Sequence, residues 1–210
     1  MIKVLVADDH SVVRRGLRQI LAETHDILVG GEASTVQEVR QLVRDQRWDV
    51  IVLDLNMPGG SGIELLTELR KQSPSVRVLV LTVYPEEQYA IRAIRAGAAG
   101  FLTKESAPER LIDAVRKIAG GGRYVSAELA ETLASLVAGE AQGVPHERLS
   151  NREFEIFKML ASGLTVSQAA ERLELSVKTV STHRTRILKK MEMKTNAELT
   201  HYGMKNRIVE

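Results

Sequence analysis

The sequence predicts an α/β protein in two parts: a doubly wound, five-stranded parallel sheet, then a smaller all-α domain of four short helices. Three observations carry that expectation. Over the first 120 residues, five short apolar runs alternate with five longer amphipathic ones, the pattern of parallel strands with helices packed on both faces. Several of the short runs are apolar without alternation, as strands covered on both sides should be. Beyond residue 148, side-chain caps open four successive helical patterns separated by tight connections.

In chain order, the strands fall at residues 2–7, 27–31, 50–53, 76–81 and 100–102, and the helices at 12–23, 36–46, 62–72, 86–96 and 108–119. The first domain accordingly spans residues 1–119. Gly120, Gly121 and Gly122 end its last helix, and glycine there permits reorientation. A linker covers residues 120–147, with a helical stretch at 127–138 whose apolar stripe is Leu129, Leu133, Leu136 and Val137. The second domain takes residues 148–210. Ser150-Asn151-Arg152-Glu153 reads as a capping box for a helix that stops at Gly163. Thr165 to Gln168 repeats that signal for a helix reaching about Leu173. Ser176 caps a third helix over 177–191, and Thr195 to Glu198 opens a fourth.

Composition excludes several classes. With 44% hydrophobic and 27% charged residues, each part can bury a core, so disorder is not expected. The absence of cysteine removes disulfides, thiolate metal sites and thiol nucleophiles together. The N-terminal apolar run reaches Asp8-Asp9 too soon to be a signal-peptide core, and no run approaches membrane-spanning length, so the expected location is the cytoplasm, away from any membrane. Charge is unevenly placed. Residues 1–120 balance 16 basic against 16 acidic side chains, whereas residues 147–210 hold 12 against 8, with Lys178, Arg184, Arg186, Lys189 and Lys190 close together. Such a cluster is more often a solvated helix face than a nucleic-acid site, so other features must decide.

Those features begin with the strand ends. In a doubly wound sheet the carboxyl ends of the strands share one edge, where ligands bind. Asp8, Asp9, Asp54, Thr82 and Lys104 all fall there. One Asp after a strand is ordinarily a turn former, and a lone Thr82 or Lys104 would mean little. Together they define a site. Three carboxylates repel one another unless a cation joins them, and oxygen ligands with room for water suit Mg²⁺. The expected ligands are Asp9 and Asp54 directly, the backbone carbonyl of Asn56, and Asp8 through water. An aspartate can attack a phosphoryl group and form an acyl phosphate, so Asp54 is the expected acceptor. Lys104 would offset charge on the phosphoryl oxygens and Thr82 would donate its hydroxyl to them. His10, just beyond the acid pair, is assigned no role.

This pattern resembles the receiver domain of bacterial response regulators over residues 1 to about 118. The resemblance rests on Asp8-Asp9, Asp54-Leu55-Asn56-Met57-Pro58, Thr82, and Lys104 after Gly100-Phe101-Leu102. It implies a flavodoxin-like fold and makes Phe101 the switch position, an aromatic ring that turns inward when the hydroxyl residue moves. Many receivers carry proline after the lysine; Glu105 stands here instead, which argues against a cis peptide at that point. A metal-dependent phosphohydrolase would also use an Asp nucleophile, but the acid usual two residues later is Asn56. A regulator with a vestigial acidic site is a third reading.

The third C-terminal helix separates by angle, at about 100° per residue. Val177, Val180, Ile187, Leu188 and Met191 fall on one side, and Lys178, Ser181, Thr182, Thr185 and Lys189 on the other. The second set offers donors and small side chains to a major groove, with cations at its edge. Arg184 projects nearer the apolar side, as a residue that would snorkel to a phosphate. Residues 148–208 resemble the LuxR-type helix-turn-helix through Leu149 to Glu153, Leu160 to Gly163 and Ser176-Val177-Lys178-Thr179-Val180-Ser181-Thr182-His183, which adds Thr179 to the expected DNA contacts. Met191-Glu192 replaces a frequent Leu-Gly, a change expected to extend the helix slightly. Joined to the receiver, the whole resembles a NarL/FixJ-type response regulator. That resemblance implies a sensor histidine kinase as phosphoryl donor, a homodimer on paired double-stranded DNA half-sites, and RNA polymerase as a candidate further partner.

Overall fold

The computed structural model describes residues 1–84, 86–138, 144–173 and 175–209, without the side chains of Glu87, Gln88, Leu136 and Val137. The chain divides into two units, Met1–Ala134 and Ser135–Glu210. In the first, strands β1 (Ile2–Ala7), β2 (Ile27–Ala33), β3 (Val50–Leu53), β4 (Arg77–Thr82) and β5 (Gly100–Thr103) alternate with helices α1 (Ser11–Ala22), α2 (Val36–Asp45), α3 (Gly62–Gln72), α4 (Glu86–Ala96) and α5 (Ala107–Ala119). All pairings are parallel and the order is β2-β1-β3-β4-β5, so the direction of winding reverses between β1 and β3. Asp8 and Asp54 follow these two strands.

Strand parity explains how the sheet is covered. Val4, Val6, Val50, Val52, Leu79 and Leu81 share one core with Leu17 and Leu21 of α1 and Leu111, Val115 and Ile118 of α5. The residues between them, Leu5, Ile51, Leu53, Val80 and Phe101, point to the opposite face and are just as buried. Each such side chain contributes roughly 1.5–3 kcal/mol on burial. A central strand with all four residues buried, Val50 to Leu53, therefore holds the loop that begins at Asp54 on a rigid base.

Two local features depart from the expected pattern. β2 runs two residues further than its apolar start indicates, and its register against β1 shifts between Val4 and Leu5. The ring of Trp48 lies where a Cβ on Gly31 would stand, 2.7 Å from the nearest ring atom, so the irregular edge strand accommodates a buried indole. The glycine run after α5 does not lead straight into a tether. Tyr124 returns to β5: its N–H donates to the Ala99 carbonyl at 3.0 Å, and its carbonyl accepts from the Phe101 N–H at 3.0 Å. A Cβ on Gly100 would sit 2.6 Å from the Tyr124 carbonyl oxygen, so the close approach needs glycine. Helix α6 (Ala127–Ala138) follows, with Leu129 buried and Ser126 accepting from its N–H. The end of the apolar stripe, Leu136 and Val137, and residues 139–143 lie outside the described side chains and residues.

Past the end of α6, the second unit has a 3₁₀ turn, Pro145–Arg148, then α7 (Asn151–Ala161), α8 (Val166–Arg172), α9 (Val177–Met191) and α10 (Asn196–Lys205). Capping boxes are complete at Ser150/Glu153 and Thr165/Gln168, while Ser176 and Thr195 each accept the N3 backbone N–H of their helix. α7 ends in a Schellman arrangement, with Gly163 at φ +89° and the Leu164 N–H reaching the Met159 carbonyl. α9 ends in the same way at Glu192, φ 58°, with the Met193 N–H on the Leu188 carbonyl. The expected extension past Met191 therefore does not occur, because Glu192 adopts the left-handed conformation that glycine would supply. Val177, grouped with the apolar side of α9, is 52% exposed, since the first turn of the helix projects beyond the core.

Candidate functional site

Backbone pairing brings the acidic loops together. The Asp54 N–H donates to the Ala7 carbonyl at 2.8 Å and the Asp8 N–H to the Ala33 carbonyl at 3.0 Å, so both residues extend the sheet by one step beyond its strands. Both side chains are 2% exposed. Lys104 Nζ lies 2.6 Å from Asp54 Oδ2 and 2.6 Å from Asp8 Oδ2, donating a hydrogen bond to the first and forming an ion pair with the second. Its own N–H donates to the Thr82 carbonyl, which fixes the start of the lysine stem beside β4. Burial alone would lower the Lys104 pKa; contacts with Asp54 and Asp8 outweigh it and hold the ammonium above its ordinary 10.5. The pocket therefore keeps one permanent cation between two buried carboxylates.

Asp9 completes the cluster from a more open position. Ligand atoms of Asp8, Asp9, His10 and Asp54 all lie within 4.8 Å of one another. His10 Nδ1 stands 2.6 Å from Asp9 Oδ1 and 3.3 Å from Asp8 Oδ1, and the His10 N–H donates to Asp8 Oδ1 at 2.9 Å. Asp8 Oδ2 is buried and lacks a partner at hydrogen-bond angles. Three carboxylates, one of them with an oxygen so placed, form a hard-oxygen donor set that fits Mg²⁺ better than a nitrogen- or sulfur-seeking metal. The Asn56 N–H donates to Asp54 Oδ1 at 3.2 Å, which sets the backbone of the following loop against the Asp54 carboxylate. The far side of that loop is held by α2: the Val36 N–H donates to the Pro58 carbonyl and the Gln37 amide to the Gly59 carbonyl.

On the other flank, Thr82 is fully buried at the end of β4, and its Oγ1 accepts from the Tyr84 N–H at 3.4 Å. The rings of Tyr84 and Tyr89 stack with centroids 4.2 Å apart, tying the loop after Thr82 to α4. Phe101 points inward at 1% exposure. Through the Phe101–Tyr124 hydrogen bond, this position is joined directly to the segment that leads out of the sheet.

In the second unit, α9 presents a polar face. Lys178, Thr179, Ser181, Thr182, Thr185, Arg186 and Lys189 are exposed, while Val180, Ile187 and Met191 are buried. Thr182 and Thr185 donate their hydroxyls to the carbonyls of Lys178 and Ser181 four residues back, leaving acceptor lone pairs toward solvent. Arg184 is set apart: it is half-buried, and its Nε donates to Asn196 Oδ1 of α10 at 2.7 Å. Lys190 donates at 2.6 Å to Glu153 Oε2, inside the capping box of α7.

Comparison with known proteins decides what this pairing of units is. Residues 4–116 match the response regulator receiver domain, and residues 147–203 match the bacterial regulatory proteins of the luxR family. The chain is 36% identical over 207 residues to the response regulator UvrY of Escherichia coli (strain K12), covering 98% of this chain and 95% of that one. The chain belongs to the NarL/FixJ-type response regulators. The regulator is also 36% identical over 211 residues to the response regulator GacA of Pseudomonas aeruginosa, covering 100% of this chain and 99% of the other. Among solved structures, it resembles RcsB from Salmonella enterica serovar Typhimurium bound to promoter rprA in the presence of the phosphomimetic BeF3−. The TM-score there is 0.69 at 27% identity, covering 96% of this chain and 98% of that one. It is thus a two-component regulator with a receiver and a LuxR-type DNA-binding domain, in a family that regulates rather than turning over a substrate.

Three features of the regulator's two sites escaped sequence reasoning. His10 enters the carboxylate cluster, although adjacency to an acid pair gives no sign of side-chain direction. Arg14 donates to the Asp8 carbonyl at 2.7 Å while its Nε donates to Glu32 at 3.1 Å, so a β2 carboxylate steadies the acidic turn through α1. Its position within an Arg-Arg pair on an amphipathic helix does not distinguish it from a solvated cation. Arg186 is exposed on the same face of α9 as the residues expected to contact DNA, and its place on the helical wheel was sufficient to find it.

Proposed function

We propose that the regulator accepts a phosphoryl group from a sensor histidine kinase on Asp54 and that this controls dimerisation and promoter binding, and so transcription. The observation carrying the reading is the buried Asp54 carboxylate at the end of β3, sharing Lys104 with Asp8 and facing Asp9 across an oxygen-rich cluster. Asp8, Asp9, Asp54 and the Asn56 backbone carbonyl would hold Mg²⁺. When bound, the ion supplies charge neutralisation for the incoming phosphoryl oxygens. One oxygen of Asp54 attacks phosphorus as the donor's leaving group departs, giving an acyl phosphate. Lys104 exchanges its contact with the carboxylate for one with a phosphoryl oxygen, and Thr82 donates its hydroxyl to another. That shift draws the loop bearing Tyr84 inward above the buried Phe101. Catalysis is confined to this self-phosphorylation and to loss of the group to water.

The functional division runs 1–119 for the receiver, 120–147 for the linker and 148–210 for DNA binding. Lys178, Thr179, Ser181, Thr182, Thr185 and Lys189 on α9 contact the major groove and its phosphates, in a homodimer that spans two half-sites. Contact with RNA polymerase would follow at the promoter. Among the described residues no helix is long and apolar enough to cross a membrane, and the reading places the protein in the cytoplasm with its DNA.

Asp54→Asn tests the acceptor. Treated with acetyl phosphate and Mg²⁺, the wild-type chain gains one phosphoryl mass and the variant gains none; equal labelling of the two would show that another residue accepts the group.

A further inference from the structure

Arg184 and Lys190 are both cations of the α9 cluster, yet each is committed within its own unit. Lys190 reaches Glu153 of α7 at 2.6 Å and Arg184 reaches Asn196 of α10 at 2.7 Å. At about 100° per residue, the two lie roughly 120° apart around the helix and bracket the buried side formed by Val180, Ile187 and Met191. The remaining arc holds Lys178, Ser181, Thr182, Thr185, Arg186 and Lys189, all exposed. Apolar packing resists separation of helices but fixes rotation about the helix axis weakly, because Val, Ile and Met surfaces slide over one another with little directional preference. A hydrogen bond on each side of the buried face supplies the missing angular constraint. Asn196 is a firm anchor: it is the first residue of α10, the Thr195 side chain caps that helix independently, and the Asn196 carbonyl accepts from Thr200 Oγ1 at 3.1 Å.

We propose that Arg184 is a positioning residue: through Asn196 it fixes the roll of α9, so that the exposed arc meets the groove, while the phosphate contact its charge would offer is made by Arg186. The inference rests on the DNA-binding reading given above. A planar guanidinium with a directed Nε–H suits this task, because its fork is pre-organised and little side-chain freedom is lost per hydrogen bond formed.

The experiment uses the full chain treated with acetyl phosphate and Mg²⁺, and a duplex enriched by the wild-type protein from a random-sequence pool. Affinity is measured by anisotropy across a salt series, with a scrambled duplex of equal length as reference and thermal unfolding followed for every variant. Arg184→Met and Asn196→Ala are each expected to weaken binding to the enriched duplex about tenfold. The double variant is expected to be no weaker than either single one, because both remove the same bond. In all three the salt slope stays at the wild-type value and discrimination against the scrambled duplex falls. Arg186→Met is expected to reduce that slope by about 0.9, the signature of one lost phosphate contact. Asn196→Ala changes no charge and leaves the Thr195 cap in place, so it reports orientation even if Arg184→Met folds poorly. Wild-type affinity in Asn196→Ala, or a slope reduced by about 0.9 in Arg184→Met, would overturn the positioning role. Failure of the wild-type chain to enrich any duplex would remove the DNA-binding reading and the positioning role with it.

Discussion

Lys104 is the residue on which two buried carboxylates depend for charge balance. Replacing it with methionine keeps the stem but leaves Asp8 and Asp54 facing each other without their cation, a change of the kind that costs about 3–5 kcal/mol. Urea unfolding of Lys104→Met with a chelator present is expected to show such a loss, and Mg²⁺ at millimolar concentration should recover part of it by binding the native cluster alone. Undiminished stability in chelator would mean that the pair is not held by this lysine. Glu153 gives a prediction in pH. Burial would raise its pKa, but the Lys190 ammonium and the Ser150 backbone N–H outweigh that and hold it below the ordinary 4.5. A depressed native pKa adds stability that is fully present above the unfolded value and lost as pH falls through the native one. Stability of the second unit should therefore fall below about pH 4.5, and Glu153→Gln should flatten that dependence while lowering stability at neutral pH by roughly 1–2 kcal/mol. A variant with the wild-type acid profile would show that the linkage lies elsewhere. At this scale the sequence revealed groups that sit at strand ends, because topology alone places Asp8, Asp54, Thr82 and Lys104 on one edge. It could not reveal Glu153–Lys190 or Arg184–Asn196, whose partners lie 37 and 12 residues apart without any shared local pattern.

Elements were the most legible level where local chemistry defines them. Ser150, Thr165, Ser176 and Thr195 announce the helices they cap, since a side-chain acceptor for the first N–H groups is a short-range requirement. Features set by distant packing were not visible in the same way. The β2 irregularity answers to Trp48, and the return of Tyr124 to β5 depends on the missing Cβ at Gly100. The turn after α9 shows how a fold overrides a residue's preference. Glu192 holds φ 58°, a conformation that costs a residue with a Cβ about 1–2 kcal/mol, and its ion pair with Arg148 is solvent-exposed and offsets little of that. Glu192→Gly is expected to raise the stability of the second unit by roughly 1 kcal/mol, read as a higher urea midpoint at an unchanged slope. A lower midpoint would show that the Arg148 contact outweighs the backbone strain.

The whole molecule joins two units that the sequence already distinguishes by charge: a balanced receiver and a basic helical module. Within the first unit, Phe101 is the proposed route between chemistry and output. It is buried near the Thr82 side of the site, and its N–H is bonded to Tyr124, in the segment leading toward α6. Coupling requires that phosphorylated and unphosphorylated receivers differ in what they allow the C-terminal helices to do, since a modification with no preference between two states shifts neither. The most direct measurement is the affinity of the full chain for its enriched duplex, with and without acetyl phosphate and Mg²⁺, in wild type and Asp54→Asn side by side. A tighter complex is expected on phosphodonor treatment of the wild type, with no change in the variant; equal affinity of the wild type under both conditions, or an undiminished response in Asp54→Asn, would contradict control through Asp54.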